Sequence, residues 1–497
     1  MASVQNNVEA HQNGISGELP PGAPDRSSFT TMDSVKHIWL GMGLPKEALD
    51  SISFSDEGLG LPSSFKVGHI AQASIGLSVL VAALIHSLRN NIEVPHVSVP
   101  LRHACAEFLS ERFCSVAGQK FEHPWALGGL YKASDGYVRI HDAFPNHRFG
   151  ALALLGLGKD ATREDIRQKV LKWAAIDLER EAFNNKIVIA ALRSYMQWDA
   201  APHSKAIATF PIQIRKLAPG PKGLSPRIGA GADKCLRGVR VVEMSRVIAT
   251  PVAGRTLAAH GADVIWVTSP NLPDLPNLDR DSARGKRSIQ LDIRVPQDKA
   301  KLLELLKDAD IFIQGYRPGS LAAKGLEPEE LVKINPNIIC GSLCAYGNSG
   351  PWAKNRGFDS LVQTCSGMNV SEAEHYGDGS PARPTPCQAL DHGSGYFLAT
   401  AVMAALYKRA TEGGSYAVDV SLAATMKYLR SLGQYEGKSG FACDDMKKAK
   451  DVEELMARSI SGFGEYHYLT HSAQIDGVKV GWDRMPVPLG SDEAVWI

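Results

Sequence analysis

The sequence predicts an α/β fold built on a parallel sheet with helices on both faces, and three observations carry that expectation. Short β-branched runs recur in the second half: VRVVEM (Val239 to Met244), DVIWVT (Asp263 to Thr268), SIQLDI (Ser288 to Ile293), DIFIQG (Asp310 to Gly315) and IICGSL (Ile338 to Leu343). Helical text separates them, such as PQDKAKLLELLKDA, where Pro296 suits a first helical turn. This strand and helix alternation is the signature of parallel sheets wrapped by helices. In such sheets ligands bind beyond the carboxyl ends of the strands, so the loops opening at Ser245, Gly315 and Tyr346 become candidates. None of these loops carries GxGxxG or GxxxxGK(S/T), which leaves a nicotinamide or P-loop site without support.

Taken from the start, residues 1–31 are rich in Asn, Gly, Pro and Ser and are expected to form a disordered tail. Residues 120–200 hold a hairpin-like GGLYKASDGYVRIHD, then helices opened by Thr162 with Asp165 three positions on, a capping-box pattern. Leu217 to Lys234, rich in Gly and Pro, reads as an interdomain linker. The chain also echoes itself. HIAQASIGLSVLVAALIHSLR, from His69, runs parallel to DHGSGYFLATAVMAALYKR, from Asp391, when Ala82 is superposed on Ala404. Each copy is followed by a strand-like run, VPHVSVPL near Val97 and YAVDVSL near Val418, and the carboxylate of the second copy is a histidine in the first.

At 497 residues with 44% apolar content, the chain is long enough for about two to four domains with sizeable cores. Its 54 basic and 53 acidic residues nearly cancel, which gives no electrostatic footprint for nucleic acid or anionic membrane. No uninterrupted apolar run approaches the length needed to cross a bilayer. The polar start MASVQNNVEAHQNG lacks the parts of a secretory signal, so a cytoplasmic location is expected. The eight cysteines form no CxxC pair and read as reduced thiols, and no metal site is expected.

The second half resembles the family III CoA-transferases, the CaiB/BaiF group that includes formyl-CoA transferases and α-methylacyl-CoA racemases. The resemblance runs from about Leu236 to Leu422 through LRGVRVVEMSRVIATP, GADVIWV, GKRSIQLDIR, IQGYRPGSLAAKGL, INPNIICGSLCAYGNSGPW, RGFDSLVQTCSG and ALDHGSGYFLATAVMAAL. It is weaker in residues 65–215, which look like the family's middle part with its small domain. It implies a Rossmann-like parallel sheet plus a smaller α+β domain in an interlocked fold, here arranged as a tandem pseudo-dimer. The implied organisation is a tail (1–31), a partial copy with the small domain but no nucleophile (32–216), a linker (217–234), a CoA-binding catalytic domain (235–435) and a closing segment that returns to the first domain (436–497). A homodimer of such chains stays open.

The resemblance also implies chemistry. The position matching the family's nucleophile is Asp391, and Asp359 matches a supporting acidic position. Asp is also a favoured helix cap, so Asp391 could simply cap a helix beginning at His392. CoA contacts carry over to Arg246, Val247, Leu291, Arg294, Gly315, Tyr316 and Arg356. The implied partners are an acyl-CoA and a small carboxylic acid, with CoA a substrate and no permanently bound cofactor. Racemases of the family place a His where this chain has Phe358, which argues against racemisation. A racemase or epimerase and an inactive CoA-binding scaffold are the alternatives to a CoA-transferase.

Overall fold

The computed structural model describes residues 19–54, 56–118 and 126–497. Its centre is a seven-stranded sheet in the spatial order Arg287–Gln290, Asp263–Thr268, Arg240–Met244, Ile311–Gln314, Ile339–Cys344, Ser415–Ser421, Ile212–Ala218. The first six strands are parallel and the last is antiparallel to its neighbour. Each of the five β-branched runs supplies a strand, though SIQLDI leaves the sheet at Gln290. Successive residues on a strand point to opposite faces. Thus Val241, Val264 and Ile311 enter the core beneath the helices Ala249–Ala259 and Ala389–Glu412, while Val242, Ile265 and Phe312 enter that beneath Pro296–Lys307. The architecture is a mixed α/β fold with a parallel sheet. Chain order reverses between Arg240–Met244 and Ile311–Gln314, which opens a crevice beyond their carboxyl ends.

The echo in the sequence has a counterpart in space. The helices Val67–Asn90 and Ala389–Glu412 each run 24 residues, and superposing Ala82 on Ala404 brings both pairs of helix ends into register. They pack against each other along the centre of the molecule. Val67–Asn90 corrects the expectation that no run is long and apolar enough to cross a bilayer. It has that length and composition, and its apolar window is wholly buried inside the protein. An all-round apolar helix is what a central position demands.

Strands also cross between the halves. Ile212–Ala218, which closes the first half, adds antiparallel to Ser415–Ser421, while Gln474–Ile475 in the closing segment adds antiparallel to Val97–Ser98. The first of these strands runs through the boundary expected at residues 216 and 217. Gly129–Lys132, Tyr137–Ile140 and Ile189–Ala191 form a separate antiparallel sheet covered by Pro145–Leu154, Arg163–Val170 and Ala175–Asn184. Here Thr162 and Asp165 form the expected capping box. The closing segment also runs along the large sheet's edge, where Asp492 accepts from the Ser288 amide at 2.8 Å and Arg287 donates to the Val495 carbonyl.

The expected disordered tail is corrected over residues 19–31. Arg26 is 3% exposed and donates to Ser431 Oγ at 2.8 Å, and Thr30 caps the helix Thr31–Gly41 through a capping box with Asp33. Residues 1–18 lie outside the described residues.

Candidate active site

The crevice at the reversal point is a cavity of about 710 Å³. Its walls come from the loops after four parallel strands, from the start of Ala389–Glu412 and, across the opening, from Phe144 to His147 of the first half's small domain. Of the expected site residues, Asp391, Arg246, Val247, Gly315, Tyr316 and Arg356 all line this cavity. Phe358 lines it too and stacks on His141 from the small domain, with ring centroids 4.2 Å apart.

At the floor, local structure overturns the simple capping explanation of Asp391. The helix begins at Ala389, so Asp391 is its third residue, and Gln388 at the cap position makes no side-chain cap bond. The amides of Leu390 and Asp391 instead donate to Asp359 Oδ2 at 2.8 and 2.9 Å, while Gln363 holds Oδ1 at 2.5 Å. Asp359 therefore does the capping from another helix, where the positive end of the helix favours a carboxylate. Its own burial nevertheless raises its pKa to about 6. The Asp391 carboxylate takes no hydrogen bond from any described residue. Burial, then the Asp359 and Glu111 charges, push its pKa well above the ordinary carboxylate value. Glu111 comes from the first half and accepts from His392 Nε2 at 3.2 Å.

Around the mouth the chemistry changes sign. Arg246 donates to the Pro273 carbonyl and lies 4.2 Å from the Phe144 ring centroid. Arg317 donates to the Lys354 carbonyl at 3.1 Å, and Arg356 has no hydrogen-bond partner among the described residues. None of the three is in an ion pair with a described residue, so their charges are available to a polyanion. Val247 beside them has φ of +75°, a left-handed conformation that a β-branched residue rarely adopts. Such outliers concentrate at ligand sites. Gly315 is required by close approach, because a Cβ there would meet Thr250 Oγ1 at 2.7 Å.

Two expected CoA contacts stand apart. Leu291 is buried in the core under the sheet, and Arg294 lies on the surface paired with Asp292 at 2.8 Å. They follow the strand Arg287–Gln290 at the far edge of the sheet, two strands from the reversal point, and neither lines the cavity. Sequence reasoning passed over Arg317, although it lies in the IQGYRPGS turn, and over Phe144, His147 and Glu111, which no local pattern ties to a site in the other half. Among the described residues no His, Cys, Asp or Glu group could hold a metal ion.

Residues 236–442 match the family model CoA-transferase family III. The match covers less than half of the chain. The matched segment carries the whole of the helix Ala389–Glu412 and all six parallel strands of the sheet. Similar proteins include an acetyl-coenzyme A transferase, nodX, of Hypoxylon pulicicidum, 35% identical over 42% of this chain and 36% of that one. The succinyl-CoA:glutarate CoA-transferase of Mus musculus is 33% identical over 40% of this chain and 47% of that one. A crystal structure of a CAIB/BAIF family protein from Brucella suis is 30% identical, with a TM-score of 0.35, over 41% of this chain and 55% of that one. The chain spans about half or less of the length of these relatives, 36% and 47% for the two enzymes.

A second cavity of about 560 Å³ lies in the first half. Superposing the paired helices puts His69, on its wall, at the place of Asp391. His69 Nε2 is bonded to Ser34 Oγ at 2.7 Å, burial lowers its pKa to about 4, and no arginine is among the described lining residues.

Proposed function

We propose that this chain is an acyl-CoA:carboxylate CoA-transferase whose covalent carrier is Asp391. One observation supports the reading above others: a carboxylate left without hydrogen-bond partners at the floor of a cavity whose mouth holds three arginines outside ion pairs, within a family III segment. In the reaction, a carboxylate oxygen of Asp391 attacks the thioester carbon, the C–S bond breaks and CoA leaves as thiolate. The thiolate attacks the aspartyl carbonyl of the mixed anhydride and expels the first acid, leaving aspartyl-CoA. A second carboxylate reverses both steps and takes the CoA away. Burial and two neighbouring carboxylates suit Asp391 to this, because they destabilise its anion before attack.

Arg246, Arg317 and Arg356 face the CoA phosphates, Tyr316 and Phe144 offer ring faces to its adenine, and Asp359 fixes the start of the nucleophile helix. The same reading makes the molecule an intramolecular pseudo-dimer. It is supported by the paired central helices, by the strand each half adds to the other and by the small domain closing over the second half's cavity. Phe358 in place of a histidine favours transfer over racemisation. Eight free cysteines suit a reducing cytoplasm.

The test is mass spectrometry of the protein incubated with a panel of acyl-CoAs and free acids, then trapped with hydroxylamine. A hydroxamate on Asp391 that depends on acyl-CoA is expected. Solvent deuterium at the substrate's α-carbon without any adduct would support an epimerase, and inertness in both assays would support a scaffold.

A further inference from the structure

His147 is the third residue of the helix Pro145–Leu154 in the small domain, and folding places it on the wall of the cavity that holds Asp391. It is 5% exposed, and its Nδ1 is buried without a hydrogen-bond partner. No described residue bonds its other ring nitrogen. A buried polar atom without a partner is rare in a folded protein and needs a reason. Phe358 lies edge-on to the ring, with centroids 5.9 Å apart, and holds it against the cavity.

We propose that His147 donates a hydrogen bond from its uncommitted ring N–H to the oxygen of the carbonyl under attack at Asp391, so that the first half contributes a catalytic residue to the second half's site. The inference rests on the transferase reading and adds a residue to it. When Asp391 attacks, the carbonyl π pair moves to oxygen, and that charge needs a donor fixed in advance. No proton is transferred: the ring keeps its hydrogen, and the oxygen pair returns when the C–S bond breaks.

The surroundings suit a neutral donor rather than a base. Burial, then the charges of Arg356, Arg246 and Arg317, lower the His147 pKa to about 4. Other titratable groups around it are His141, itself lowered to about 3 by burial, the Asp142 and Arg148 pair, 3.8 Å apart, at the base of the same helix, and Asp391 across the cavity. An imidazole so weakly basic stays neutral through pH 5–8 and is poorly fitted to remove an α-proton.

The test compares wild type, His147→Leu and His147→Gln in single-turnover formation of the Asp391 adduct, with thermal melts as the folding control. His147→Leu should slow adduct formation by about 100- to 1,000-fold, the usual effect of losing one such donor. Its Kd for acyl-CoA should change much less. His147→Gln, which keeps an N–H, should recover at least about tenfold. The shape of the pH profile between pH 5.5 and 8 should be the same in all three. A Leu variant as fast as wild type, equal loss in Leu and Gln, or a pH limb that disappears only with His147 overturns the proposal. A wild type that forms no adduct at all overturns the transferase reading with it.

Discussion

Asp391→Asn separates chemistry from architecture, and the structure sets both magnitudes. The wild-type carboxylate is held in a buried site beside Asp359 and Glu111 with its pKa far above the ordinary 3.8. Between those two values the folded protein keeps a proton that the unfolded chain has lost, so stability falls as pH rises through the window. Each unit of that upward shift removes about 1.36 kcal/mol once both states are ionised. The amide never ionises and escapes this loss. Asp391→Asn should therefore melt close to wild type near pH 4 and above it at pH 8, by on the order of 2 °C per kcal/mol recovered. The helix start survives, because Asp359 caps it through the backbone amides of residues 390 and 391. Transfer, in contrast, loses its nucleophile and should fall by at least ~10⁴. Melts by circular dichroism from pH 4 to 8 and transfer assays on the same samples make the check. A variant that melts several degrees below wild type at pH 8 would show that the carboxylate is structural, and one retaining a per cent of activity would show that it is not the carrier.

Three further outcomes follow from particular contacts. Arg356→Ala should weaken CoA binding by roughly 10- to 100-fold, the effect of losing one charge-assisted bond of ~1.5–3 kcal/mol, and should flatten the salt dependence; calorimetry with an unchanged Kd would remove Arg356 from the site. Gly395→Ala should lower stability by about 1–3 kcal/mol in denaturant titration, because its Cβ would lie 2.4 Å from the Ala249 carbonyl oxygen in the packed helix pair; a neutral effect would mean the two helices can part. A chain cut at Gly223 should stay associated on a sizing column and bind one CoA per pair of halves, since strands cross in both directions; two separated folded monomers, or two equivalent CoA sites, would refute the pseudo-dimer.

What the sequence disclosed was local or periodic. Each β-branched run became a strand because a parallel strand buried on both faces needs apolar residues at every position, and this shows within six letters. The repeat was visible because two helices facing each other on one axis must both be apolar all round. The missing information was relational. Nothing near residue 147 says that its helix will close over a cavity built more than 90 residues later, and nothing near Arg294 says that its strand will be the far edge. The same holds for Asp359, whose capping of a helix in another segment depends on a distance only folding creates.

The two cavities carry the last step. If the halves are related as a dimer folded into one chain, each should have inherited a site, yet only one has a carboxylate at the Asp391 position, three arginines at its mouth and six parallel strands behind it. In a homodimer both sites are encoded by one gene segment and must change together. Fusion would remove that constraint, and covalent linkage would also make association intramolecular, so the halves would no longer depend on concentration to stay paired. The first half is then free to lose its nucleotide-binding strands, provided it still supplies what the surviving site lacks. What it retains fits that requirement: the helix that packs on the nucleophile helix, the Ser110 to Arg112 turn that brings Glu111 under His392 and anchors Arg112 on the Pro386 carbonyl, and the small domain that brings Phe144 and His147 to the opening. His69, bonded to Ser34, stands at the place in the first half that corresponds to Asp391 in the second.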